Sequence, residues 1–239
     1  DLAVARIGGA LDGQQIAFIS DGQLSGLCNK GLTVAEVSPE SAIGGPLAFV
    51  KTGDRIAMVA ETGPDFAACF FGAVYAGAWP VPLPLPTSFG GRTAYVDQLA
   101  IQLKSCDACL FLYPEELAEY GGGAAEKAAV TSRSWESLAS VAPATAELPK
   151  AQPDDIAYLQ YSSGSTRFPH GVAVTHRALL DNLRAHGIGL KVEEGDRCIS
   201  WLPWYHDMGL VGCFLSPTSL QLSVDYLKTE DFAGRPLAW

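Results

Sequence analysis

Positive charge is scarce in this chain: 16 Lys and Arg stand against 26 Asp and Glu, a net charge of −10 with histidine neutral. A uniformly acidic surface repels nucleic acid and anionic membranes, so neither is an expected partner. It also means that any polyphosphate site has to be rescued locally by hydrogen-bond donors and a divalent cation. Long hydrophobic runs are missing too. The most apolar helical stretch, Phe66 to Trp79, falls short of the ~20 residues a bilayer requires, so it reads as a core helix and no stable membrane insertion is expected. The opening residues Asp1-Leu2-Ala3-Val4-Ala5-Arg6 lack the basic start and apolar core of a secretion signal. The six cysteines therefore read as reduced thiols in a cytoplasmic protein. Cys106-Asp107-Ala108-Cys109 is an isolated CxxC without the second ligand pair that zinc needs, and no metal site of the protein's own is expected. Cys109 opens the apolar run Cys109–Tyr113 and reads as a buried strand residue.

What is present has the rhythm of an α/β protein. The 239 residues suffice for one large domain or two small ones. Gln15–Ser20, Asp21-Gly22 and Gln23-Leu24 read as a hairpin with an Asp-Gly turn. Arg55–Ala60 is a continuous apolar run, the mark of a buried strand. Thr62-Gly63-Pro64-Asp65 then starts a helix over Phe66–Ala78. Trp79–Pro86 alternates apolar residues with proline, which confines it to a sheet edge or a polyproline conformation. Arg92–Ser105 is an amphipathic helix with Tyr95, Leu99 and Leu103 on one face. Glu115–Lys150, with glycines at 121–123, reads as surface helices and a linker, and Pro149–Pro153 as a subdomain boundary. Beyond it, Ala178–His186 is helical, Cys198–Leu202 is a strand and Met208–Leu215 starts a helix. Strands alternating with helices imply mostly parallel sheets flanked by helices.

One stretch carries most of the chemical information: Tyr161-Ser162-Ser163-Gly164-Ser165-Thr166-Arg167-Phe168-Pro169-His170-Gly171-Val172. Apolar runs on both sides make it a loop between two strands. Its hydroxyls and backbone N–H groups suit the wrapping of a polyphosphate, because anions are held by converging donors. The alternative is an ordinary surface turn whose serines cap the backbone. The loop is not a Walker P-loop, since Val172 and Ala173 follow Gly171 where Lys-Ser/Thr is needed. It is not a nucleophile elbow either, because no serine has glycines at both −2 and +2. No G-x-G-x-x-G follows a strand, which removes a Rossmann dehydrogenase.

Tyr161–Val172 resembles the phosphate-loop signature of the adenylate-forming superfamily. Ser200-Trp201-Leu202-Pro203-Trp204-Tyr205-His206-Asp207-Met208-Gly209-Leu210 resembles the next motif of that superfamily, in the Tyr-His-Asp-Met-Gly-Leu form of fatty acyl-AMP ligases. Tyr75-Ala76-Gly77 leading into Val81-Pro82-Leu83-Pro84, and Gln221–Leu227, are further matches, so the likeness runs from about Leu32 to the end. Two departures stand out: His170 replaces the usual lysine and Arg167 the usual second glycine. The guanidinium of Arg167 restores a charge in a fork suited to phosphate.

The resemblance implies part of the large N-terminal domain of an adenylate-forming enzyme. Residues 1–150 would be a first α/β subdomain with the N-terminal hairpin. Residues 151–239 would hold the phosphate loop and the start of a second subdomain. The C-terminal domain that bears the catalytic lysine is absent, so the chain alone is expected to be inactive. The implied reaction is ATP-dependent conversion of a fatty acid to acyl-adenylate with Mg2+ and release of pyrophosphate, followed by transfer to an acyl carrier protein. Ser162, Ser163, Ser165 and Thr166 would donate to phosphates. Gly164 and Gly171 would admit backbone amides, and Arg167 and His170 would add charge-assisted contacts. His206 would contact the carboxylate or the adenylate, the alternative being a helix-start histidine bonded to the backbone. Asp207 reads as a helix N-terminal residue. Trp201, Trp204 and Tyr205 would wall the acyl pocket, or else belong to the core. Alternatives in function are a fatty acyl-CoA synthetase and a non-catalytic ligand-binding module. The loop is expected to be mobile without ATP.

Overall fold

A computed structural model describes residues 17–19, 32–34, 52–86, 91–138, 148–162 and 171–238. Strand β1 (Ala17–Ile19) pairs with β2 (Leu32–Val34) in parallel, Ala17 opposite Leu32. The pairing of β1 is thus not the expected hairpin, because parallel neighbours cannot be joined by a two-residue turn. Gln23-Leu24, the other arm of that hairpin, lies outside the described residues.

The next segment alternates strand and helix: β3 (Arg55–Val59), α1 (Pro64–Tyr75), β4 (Trp79–Leu83), α2 (Arg92–Ser105), β5 (Ala108–Tyr113), α3 (Ala118–Ala128) and β6 (Thr131–Ser134). The strands form one four-stranded parallel sheet in the order β4-β3-β5-β6. Both faces are covered, as a parallel sheet demands, and the strand period sorts side chains between them. Ile56, Met58, Leu110 and Leu112 pack with Phe66, Phe70 and Ala73 of α1. Ala57, Val59, Phe111 and Tyr113 pack with Tyr95, Leu99 and Leu103 of α2 and Ala124 of α3.

Proline explains the place of β4. Trp79 N–H donates to Asp54 O at 2.7 Å, so odd-numbered residues of β4 turn their backbone groups towards β3. Pro80 and Pro82 then face the outer edge, where a missing donor breaks no ladder bond. The expected edge position is what the sheet order shows.

One expectation fails in the middle of the chain and another holds in part. Cys109 lies on β5 but is exposed, while Cys106, at the C-cap of α2, is the buried thiol. The apolar run of β5 buries its residues only from Leu110 onward. A helix does occupy the stretch read as surface helices and a linker, with the Gly121–Gly123 run inside α3, but it is not all surface: Gly121, Ala124 and Ala125 are buried. A Cβ on Gly121 would come within 2.6 Å of Cγ of the Tyr113 ring, so the glycine sets how closely α3 approaches the sheet. β6 follows as the outermost strand. Its sequence, Thr-Ser-Arg-Ser, has no apolar alternation to announce it.

The later elements build on this base. β7 (Ile156–Tyr161) and β8 (Gly171–Thr175) are antiparallel, Tyr161 opposite Gly171, and β7 lies beside β4. Helix α4 (His176–Leu190) starts at Thr175, whose hydroxyl accepts the Ala178 N–H at 3.2 Å. β9 (Arg197–Ser200) and β10 (Ser223–Tyr226) pair in parallel. Between them Met208–Leu215 is a π-helix, which runs into the helical turn Ser216–Leu220. Tyr158, Leu183, Trp204, Leu210 and Phe214 join Phe66 and Phe70 in one core. Among the described residues no helix is long and apolar enough to cross a membrane.

Candidate active site

A cleft of about 670 Å³ opens where β4, α2, the β7–β8 pair and the segment before the π-helix meet. Pro82 and Pro84 come from the end of β4, and Gln98 and Gln102 from α2. Gln160, Tyr161, Ser162, Val172 and Val174 come from the β7–β8 pair, and Tyr205, His206 and Asp207 close one side. Ser162 and His206, drawn from two motifs far apart in sequence, thus line the same space.

The stem of the hydroxyl-rich loop is anchored from outside. Tyr161 Oη donates to Gln102 O at 2.9 Å and also meets the Ser105 hydroxyl. Burial pushes the Tyr161 phenol well above its ordinary range, which keeps it a neutral donor. A Cβ on the facing Gly171 would touch the Tyr161 ring at 3.7 Å. Ser162 is exposed at the cleft and Gly171 is exposed at the start of β8. Ser163, Gly164, Ser165, Thr166, Arg167 and His170, together with the expected mobility of this loop, lie outside the described residues.

The other wall owes its shape to Gly209. A Cβ there would lie 2.7 Å from the carbonyl carbon of Pro203, so only glycine lets the chain pack back on itself. His206 N–H donates to Pro203 O at 3.1 Å, and Leu210 N–H donates to His206 O at 2.8 Å. His206 Nδ1 lies 2.7 Å from Asp207 Oδ1. Nδ1 also accepts the Met208 N–H at 3.3 Å, the backbone bond of a helix-start histidine. The Nδ1 edge of the ring is thus engaged at the helix start by Asp207 and Met208. Asp207 also accepts the Met208 N–H at 2.7 Å, the helix N-terminal role expected of it. Beneath this wall, burial and then the charge of Asp207 push the Tyr158 phenol up to about 12.

The three aromatic candidates separate. Tyr205 lines the cleft, and burial, followed by the charge of Glu230, raises its phenol. Trp204 is 2 % exposed and stacks on Phe214 at 4.4 Å, within the core. Trp201 stacks on Phe232 at 4.0 Å. The glutamines of the cleft went unnoticed in the sequence. Gln98 and Gln102 stand one helical turn apart on α2, which predicts a shared face but not what that face looks onto.

The AMP-binding enzyme profile matches residues 48–237. The chain belongs to that family. The match begins at 48 rather than near Leu32, and a second profile, the dihydroxy-acid/6-phosphogluconate dehydratase C-terminal region, matches residues 3–64. A putative acyl-CoA synthetase of Caulobacter vibrioides is 46 % identical over 192 residues, which are 79 % of this chain and 33 % of that protein. A long-chain-fatty-acid–AMP ligase of Mycolicibacterium smegmatis is 35 % identical over 194 residues, 79 % of this chain and 30 % of its own length. This chain therefore spans about a third of the curated relatives it matches. A solved structure from work on fatty acyl-adenylate ligases of E. coli and L. pneumophila superposes with a TM-score of 0.78 at 42 % identity, covering 85 % of this chain and 38 % of that one. The α/β fold with mostly parallel sheets is thus that of the N-terminal part of adenylate-forming enzymes.

Proposed function

We propose that the protein carrying this chain activates a fatty acid with ATP. A carboxylate oxygen attacks the α-phosphorus, the bond from that phosphorus to the α,β-bridging oxygen breaks, pyrophosphate leaves with the bond's electron pair and the acyl-adenylate remains. The observation that carries this reading is the meeting of Ser162, at the mouth of the hydroxyl-rich loop, with His206 in one cleft. The protein's work in such a step is to position the reactants and to neutralise spreading charge. Ser162, Ser163, Ser165 and Thr166 donate to phosphate oxygens, Gly164 and Gly171 admit the backbone, and Arg167 and His170 add positive charge. Mg2+ would supply charge neutralisation at the phosphates, where such sites hold it mainly through substrate phosphates and water, with few protein ligands required. His206, with its Nδ1 edge engaged by Asp207 and the Met208 N–H, contacts the carboxylate or the adenylate through Nε2. Tyr205 forms part of the acyl wall.

The acceptor that takes the acyl group is an acyl carrier protein in this reading, supported by the Tyr-His-Asp-Met-Gly-Leu form of the motif and by the kinship with AMP ligases. Coenzyme A is the second reading, favoured by the 46 % identity to a putative acyl-CoA synthetase. Fatty-acid-dependent ATP–pyrophosphate exchange on the full-length protein tests the first step, and His206→Ala lowers it by about 100-fold. The present chain alone is expected to give no exchange. No exchange by the full-length protein with short, medium or long acids rejects the reading in favour of a binding module. Acyl transfer assayed side by side to holo-carrier protein and to coenzyme A decides the acceptor.

A further inference from the structure

The lining of the cleft combines two chemistries. Ser162, Tyr205, His206 and Asp207 lie on one stretch of the lining, and Asp207 is the only carboxylate among the described lining residues. The remaining lining is Pro82, Pro84, Val172 and Val174, all apolar, with glutamine amides among them. The chain of an acid activated beside His206 would have these residues to pack against.

Glutamine is an odd choice for that wall. Gln102 is 3 % exposed and Gln160 is 8 % exposed, and both line the cleft. Gln160 Nε2 donates to Tyr205 O at 3.4 Å. The buried serines elsewhere behave as buried polar groups should: Ser200 Oγ accepts the Leu202 N–H at 3.1 Å, and Ser216 Oγ meets His186 Nδ1 at 2.7 Å. Gln102 differs. Its backbone carbonyl is well used, accepting from Tyr161 Oη and Ser105 Oγ, but its side-chain Oε1 is buried with no partner among the described residues. Leaving such a carbonyl unpaired is destabilising. Leucine or methionine would fill the same space on the α2 face without that penalty.

We propose that Gln102 is a specificity-determining residue, and that the cleft takes a carboxylic acid whose chain bears an uncharged hydrogen-bond donor, a hydroxyl or an amide N–H, in preference to a plain hydrocarbon chain. This rests on the adenylation reading above. The terminal torsion of a glutamine is soft, so Oε1, now just behind the wall, turns to an entering donor and gains the partner it lacks. An alkyl chain packed there leaves the carbonyl buried and unpaired, the situation in which a polar site rejects an analogue lacking the matching group. Because Oε1 only accepts, the preference is for donors and not for polarity in general.

The test is ATP–pyrophosphate exchange by the full-length protein with acids of equal length carrying hydrogen, hydroxyl or methoxy at successive chain positions. At one position the hydroxy acid is expected to exceed both the plain and the methoxy acid by about tenfold in kcat/KM. Gln102→Met, which keeps the length of the side chain and removes the carbonyl, brings the hydroxy and plain acids to near parity. Equal use of plain and hydroxy acids at every position overturns the proposal, as does a methoxy acid that matches the hydroxy acid. A preference that survives intact in a folded Gln102→Met protein assigns it to another residue and also overturns it. If that variant does not fold, the methoxy comparison on the unaltered protein still decides. Exchange with no acid at all removes the adenylation reading itself, a result distinct from exchange without discrimination.

Discussion

The hydroxyl of Tyr161 donates to the backbone carbonyl of Gln102 at 2.9 Å, across 59 positions of sequence. This bond ties the last residue of β7, immediately ahead of the hydroxyl-rich loop, to the C-terminal turn of α2. Tyr161→Phe removes the donor and keeps the ring that lies over Gly171. The expected loss is about 1 kcal/mol of stability, the net worth of one internal hydrogen bond. The more telling effect is on binding: the KM for ATP rises several-fold while kcat changes little, because the loop stem loosens and the chemistry stays in place. An unchanged KM alongside the lost stability means that the anchor serves the fold alone.

Gly121 and Gly122 sit side by side in α3 and answer differently to the same substitution. A methyl on Gly121 lands on the Tyr113 ring, with Cγ at 2.6 Å, and that ring is buried between sheet and helix. Gly121→Ala is therefore expected to lower stability by about 1–3 kcal/mol through overpacking. At Gly122 the nearest atom is Tyr113 Oη at 3.9 Å, an ordinary contact. Gly122→Ala is expected to gain up to ~1 kcal/mol from helix propensity. Thermal midpoints of the two variants check this; shifts of the same sign and size contradict it.

These glycines also show where sequence reading stops. The elements written in continuous apolar runs or period-four stripes were legible: β3, α1, α2 and the apolar part of β5 are where hydrophobic patterning puts them. So was the edge position of β4, because proline cannot donate. The glycine run of α3 misled because glycine's role there is close approach, a tertiary fact that propensity does not carry. β6 was illegible because Thr131–Ser134 owes its place to pairing with β5 and not to its own side chains. In the cleft, Ser162 and the His206 segment belong to motifs that the sequence displays. The glutamines belong to none, since nothing local to α2 records that one flank of an amphipathic helix borders a cleft.

Trp204 tests the division between core and pocket. Its ring stacks on Phe214 at 4.4 Å and lies 5.5 Å from Phe66, and its Nε1 is buried without a partner among the described residues. Trp204→Ala is expected to remove about 3–5 kcal/mol, the cost of a large buried aromatic. Trp204→Phe keeps most of the stacking surface and discards the unpaired N–H, so it recovers the larger part of that loss. Because Trp204 faces the core, the Phe variant leaves the KM for the acid unaltered, whereas Tyr205→Ala, on the cleft wall, raises it. A Trp204→Phe protein with a changed acid preference would put the indole in the pocket after all.

His176, the first residue of α4, supplies a pH signature. Burial lowers its pKa from the ordinary imidazole value, with the charge of Asp155 opposing only in part. The folded protein therefore resists protonating this ring, whereas the unfolded chain protonates it at about pH 6.5. Where the unfolded state binds more protons, stability rises with pH. The contribution of His176 is thus undiminished above roughly pH 6.5 and shrinks as the pH falls from there through the folded value. The helix start adds to this, since the positive end of the α4 dipole disfavours an imidazolium at its first turn. His176→Gln keeps a neutral polar group and removes the titration. Between about pH 8 and pH 5 the thermal midpoint of the unaltered protein should fall further than that of His176→Gln. Parallel curves for the two proteins would mean that the ring is as free to take a proton in the folded chain as in the unfolded one.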